Sequence, residues 1–123
     1  MEQDADIRSE IVTDLWELNT REAVDALGML FLGERDQDVK ADILAGVAGS
    51  AEKATHEGCY GLLLSAIAPG QPPDVRLLAA HLFTDFEDAR VPGLLQQFSQ
   101  DPDPEVREAV KDAIETLRQN QAR

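Results

Sequence analysis

The chain has a single cysteine, Cys59, so no internal disulfide can form. A lone thiol fits a reducing compartment, and a cytoplasmic setting is expected. Aromatic side chains are only 5% of the 123 residues. Alanine and leucine carry most of the apolar content, a mix that favours helices over sheets. No apolar run approaches the ~18 residues of a membrane span. The opening stretch, MEQDADIRSE, is acidic and lacks the apolar core of a signal peptide, so none is expected. Positive charge is scarce: 11 Lys and Arg stand against 24 Asp and Glu, a net charge of -13. Such a surface repels nucleic-acid phosphates and anionic lipids, so neither nucleic acid nor membrane is expected as a partner.

A repeated pattern fills the rest of the sequence. A β-branched residue followed by a base, just after an acid, occurs at Ile7-Arg8, Val39-Lys40, Val75-Arg76 and Val106-Arg107, at separations of 32, 36 and 31 residues. Four residues beyond these anchors stand Ile11, Ile43, Ala79 and Val110; eight beyond stand Leu15, Val47, Phe83 and Ile114. On a helix of 3.6 residues per turn these positions fall within about 80°, so each segment carries one apolar stripe. Between them lies a second set. TREAVDALGMLFLG has Val24, Leu27, Leu30 and Phe31; EGCYGLLLSAIA has Leu62, Leu63, Ala66 and Ile67; ARVPGLLQQFSQ has Val91, Leu94, Leu95 and Phe98. Each is too short to bury its face alone, so each unit reads as a helical hairpin, punctuated by Gly33, Gly49, Pro69-Gly70, Pro72-Pro73, Pro102 and Pro104. Asp103 and Asp36 are placed as helix N-caps, with Pro104 at a first helical position; Pro72 stands at the equivalent place in the third unit. The expected fold class is all-α: three hairpins and a final helix, seven helices in one repeat domain over 1–123.

The stretches DPDPEVREAVKDAI, PPDVRLLAAHLF and DQDVKADILAGV resemble the HEAT-repeat family in its short bacterial form, over about residues 4 to 119. The resemblance implies an α-solenoid and a scaffold or protein-binding role; a few members of the family bind DNA or attach pigments to proteins. It also implies a stacked ladder in which a turn acid meets the base after the anchor. Asp36 and Asp101 match the acid, and Arg8, Lys40, Arg76 and Arg107 match the base. The third repeat has no such acid, so the ladder is expected to break there.

The flanks of the anchor stripes point to caps at both ends. Three and seven residues after the first anchor are Glu10 and Asp14, where the third repeat has Leu78 and Leu82 and the fourth Ala109 and Ala113. On the other flank, five and nine residues after the anchor, the first helix has Val12 and Trp16 but the last has Lys111 and Glu115. Stacked repeats need a polar outer face at each end, so a short, finished solenoid is expected. Trp16 is placed as a packing residue between the first and second hairpins.

Catalytic chemistry has little support. His56 and Cys59 form an H-x-x-C spacing, yet His81 is the only other histidine and a metal site needs three or four ligands. The acid clusters match no calcium loop and read as helix caps. GCYGLLL is not a phosphate loop, since no strand precedes it and no lysine follows. No cofactor and no metal are expected, and the chain reads as no enzyme.

The second helices, which the resemblance implies line a concave face presented to a protein or peptide partner, carry apolar residues beyond their core stripes: Met29 and Leu32 on the first, Tyr60 and Leu64 on the next, with a groove expected between these helices. Such surplus marks a binding patch, with Asp25 and Glu57 as an acidic rim that would steer a basic or amphipathic protein segment. Self-association through the same patch is a second use of it. The favoured function is therefore a non-enzymatic interaction or scaffold module. The alternative is a small catalytic or accessory solenoid of the DNA-repair or pigment-lyase kind, which should show basic second helices; here Arg21, Lys53 and Arg90 are set against Glu22, Asp25, Glu52 and Glu57. Titration of labelled duplex DNA at about 150 mM salt should show no binding in the micromolar range, because phosphate neutralisation supplies most non-specific affinity. Micromolar or tighter binding would reverse the order of the two classes.

Overall fold

The computed structural model describes residues 4–49 and 53–121. Seven α-helices account for most of them: α1 (Ala5–Leu18), α2 (Arg21–Gly33), α3 (Gln37–Gly49), α4 (His56–Ile67), α5 (Pro73–Thr84), α6 (Val91–Gln96) and α7 (Pro104–Gln121). A single 3-10 turn, Lys53–Thr55, precedes α4, and no strand occurs among the described residues. Among the described residues, no helix is long and apolar enough to cross a membrane.

Local chemistry sets the helix starts. The carboxylate three residues before an anchor accepts the orphan N–H groups of the first turn. Asp4 does so for Asp6 and Ile7 at 2.8 and 3.4 Å. Asp36 serves Asp38 and Val39 at 2.8 and 3.2 Å, and Asp103 serves Glu105 and Val106 at 2.9 and 3.1 Å. Helix α5 begins instead at Pro72-Pro73, without a side-chain cap. At its other end α1 stops at Asn19, which adopts a left-handed conformation (φ 49°) and returns its N–H to the Trp16 carbonyl.

Contacts divide the chain into two compact units, Met1–Ser65 and Ala66–Arg123. In the first, α1 packs on α2 and α3, and α2 also touches α3 and the 3-10 turn. In the second, α7 packs on α5 and α6. The anchor stripes of α3 (Val39, Ile43, Val47), α5 (Val75, Ala79, Phe83) and α7 (Val106, Val110, Ile114) are all buried. The stripe of α1 departs from this: Ile7 and Ile11 are 42% and 40% exposed, and the buried residue is Val12. The reason is directional. With α2 and α3 as its packing partners, α1 turns inward the flank that bears Val12 and Trp16. The Trp16 indole N–H donates to the Ile43 carbonyl at 3.0 Å, joining α1 to α3. Gly46 makes room for this ring, since a Cβ there would sit 2.1 Å from it. Cys59 is 1% exposed within α4.

Arginines then tie helices to turns. Arg8 of α1 donates through Nε and Nη2 to Glu34, at 2.9 and 3.1 Å. Arg76 of α5 donates in the same two-pronged way to Asp101, at 2.9 and 3.0 Å, and to the Gln71 carbonyl. Glu34 and Asp101 both stand five residues before an anchor. The ladder acid of the first unit is thus Glu34 and not Asp36, which is engaged as a cap. Arg107 donates to the Asp101 and Pro102 carbonyls. Lys40 has Gly70 at the place where its ladder acid would be, and its ammonium lies over the Phe31 ring, 5.7 Å from the centroid.

Burial raises the Glu34 carboxyl, but the N–H groups of Asp36 and Arg35 and the Arg8 guanidinium together outweigh it and hold the group below its ordinary 4.5. Burial likewise raises Asp101, and the Arg76 guanidinium and the Asp103 N–H more than reverse that, holding it below 3.8. Depressed carboxyl values contribute stability that is complete above the unfolded pKa and is lost as pH falls through the native one. Urea unfolding should therefore show stability constant from neutrality to about pH 5 and falling below the ordinary carboxyl values. Asp101→Asn, which leaves the buried Arg76 guanidinium uncompensated, should cost about 3 to 5 kcal/mol at pH 7 and flatten the acid side of the curve. Arg90→Ala, at the more exposed Arg90–Asp88 pair, should cost less than about 1 kcal/mol.

Candidate partner-binding face

Helix α2 starts at Thr20, whose hydroxyl accepts the Ala23 N–H at 3.1 Å. From that start the 3.6-residue period sends Ala23, Val24, Leu27 and Phe31 into the core, all buried. Met29 is turned about 200° from Leu27 and is 73% exposed; Leu32, on the adjoining row, is 67% exposed. Asp25 lies one turn before Met29 and is exposed. Cβ atoms added at Gly28 or Gly33 would meet nothing within 4 Å, so the bare surface runs around the outer side of this helix. Leu30, expected in the core stripe, is 41% exposed. It sits about 70° from the centre of the buried arc, at the edge of what the neighbouring helices cover.

Helix α4 divides the remaining expectations. Glu57 is exposed and Leu64 half-buried. Tyr60 is not a surface residue: it is 9% exposed. The buried residues of α4 (Cys59, Tyr60, Leu62, Leu63, Ala66 and Ile67) span about 160° of its circumference, and Tyr60 falls inside that arc. Gly58 lets this helix approach α2 closely. A Cβ at Gly58 would lie 2.5 Å from Val24 Cγ1 and 3.9 Å from Asp25 Oδ1. That approach sets Asp25 beside the start of α4, where Glu57 is the adjoining residue. The apolar part of the face is therefore Met29 and Leu32 of α2, and its acidic side is Asp25 with Glu57 nearby.

Met29 suits an adaptable contact, because its unbranched thioether repacks readily. The face holds no nucleophile–base pair. The carboxyls of Glu34 and Asp101 are each lowered by an arginine and by turn N–H groups, whereas a general acid needs a raised value. Cys59 is buried and His56 half-buried. The sequence did not single out a depression between α1 and α3 that is walled by Trp16. No protein-family model, curated protein or solved structure matches this chain.

The double variant Met29→Asp, Leu32→Asp should keep its helical circular dichroism and lose no more than about 1 kcal/mol, as for exposed sites. Tyr60→Asp, which forces a carboxylate into the core edge, should lose more than about 2 kcal/mol. Thermal melts of the two proteins decide whether the apolar face is confined to α2.

Proposed function

We propose that this chain is a HEAT-like α-solenoid domain over 1–123 that works as a non-enzymatic interaction or scaffold module, docking a basic or amphipathic protein segment on the outer face of α2. The observation that carries this reading is the exposure of two large apolar side chains, Met29 at 73% and Leu32 at 67%, beside Asp25 in a chain of net charge -13. Exposed apolar residues next to like charges fit a partner that brings its own apolar side chains and opposite charge. The repeated buried stripe and the Arg8–Glu34 and Arg76–Asp101 pairs support the solenoid reading. The lone buried thiol is in keeping with work in a reducing cytoplasm.

Immobilised chain should capture from an extract of its source one or a few proteins with a basic segment, with capture weakening as salt rises. The Met29→Asp, Leu32→Asp variant should capture at least about tenfold less, the loss of roughly 1.4 kcal/mol expected when an apolar contact is removed from a docking face. An unchanged set of captured proteins would show that the α2 face is not the docking surface. Loss of self-association alone, seen by sedimentation, would assign the face to a second copy of the chain.

A further inference from the structure

We infer that the depression between the C-terminal halves of α1 and α3 receives the guanidinium of an arginine side chain from a partner protein. Its cavity volume is about 620 Å³, within the ~300–1,000 Å³ of ordinary ligand sites. Val12 and Trp16 of α1 and Ala45 and Gly46 of α3 supply its apolar walls, and Glu17 and Asp42 its charge. Among the described residues, no lysine, arginine or histidine lines it.

Each part favours a flat cation. Trp16 has its one donor engaged by the Ile43 carbonyl, so the ring meets the cavity as carbon surface alone, the surface on which guanidinium groups stack. Glu17 makes no hydrogen bond or ion pair among the described residues. Asp42 accepts the Ser9 hydroxyl on Oδ2 at 2.7 Å and keeps Oδ1 open among those residues. The cavity also reaches the ends of both helices, at Asn19 and Gly49. Neither helix has a basic residue in its last turn, so the negative ends of two macrodipoles are left uncompensated. A neutral guest would leave that field unanswered, and an anion would meet repulsion from every side. A guanidinium offers donors to both carboxylates while its plane lies against the indole.

This site is separate from the α2 face and stands or falls apart from it. The probe is N-acetyl-arginine amide, with N-acetyl-citrulline amide as its uncharged isostere. Trp16 is the only tryptophan in the chain, so fluorescence and the indole N–H resonance report from the cavity wall itself. The arginine probe should shift both signals saturably, and the citrulline probe should not. Glu17→Gln with Asp42→Asn should weaken binding about fivefold or more, the combined effect of two exposed charges. Glu17→Gln alone, at an exposed side chain with no partner to lose, should weaken it about twofold. Met29→Asp, Leu32→Asp should bind the probe as the wild type does. No saturable response, an equal response to citrulline, or unchanged affinity in both charge variants overturns the assignment.

Discussion

A buried carboxylate in a turn holds two things at once, and the order of the helices around it depends on both. Glu34 accepts the Arg35 and Asp36 N–H groups of its own turn, each at 3.0 Å, while receiving Arg8 from α1. Asp101 accepts the Asp103 N–H and receives Arg76 from α5. A turn between helices leaves backbone donors without partners, and a guanidinium out of water needs an opposite charge. One carboxylate answers both needs, so helix, turn and next helix are fixed together. Without it, the turn donors and the arginine would each need another partner, and at the buried Arg76–Asp101 pair none is at hand in the solvent. Where the ladder acid is missing, at Gly70, the corresponding base is a lysine, Lys40, whose compact ammonium lies over the Phe31 ring.

The helices were legible because their causes are local. Anchors spaced by about one hairpin, aspartates three residues ahead of them, and prolines at the joins all act within a turn or two of the chain. The period also located nine of the buried anchor-stripe residues, from Val39 to Ile114. It failed where burial depends on what lies alongside. Ile7 and Ile11 share the angle of Ile43 but not its neighbours. Tyr60 looks surplus on a helical wheel and is covered because the buried arc of α4 is wide enough to take it in at its edge. The ladder acid was misplaced for a different reason. E-R-D at 34–36 and D-P-D at 101–103 both contain two acids, one that caps and one that pairs. Only the distance to an arginine 25 or 26 residues earlier tells them apart.

Taken as the binding sites proposed above, the two surfaces of the first unit would give an acidic protein different ways to be selective. On α2, apolar side chains stand out in water with carboxylates beside them, which favours fast encounter and tolerant packing. Between α1 and α3 the indole is fixed by its hydrogen bond and by the space that Gly46 leaves, so its geometry is set before anything arrives. A preformed wall costs less ordering on binding than a mobile one. Such a wall discriminates by charge and planarity rather than by contact area.

The single thiol has a consequence for how motion in this chain becomes visible. Cys59 is sealed in α4, and thiolate chemistry requires both solvent and deprotonation. A disulfide reagent can therefore reach it only when α4 separates from its surroundings. When reclosing outpaces the chemistry, the modification rate divided by that of a free thiol gives the equilibrium constant for this opening. The residue that forms no disulfide inside the molecule thus acts as a clock for one helix.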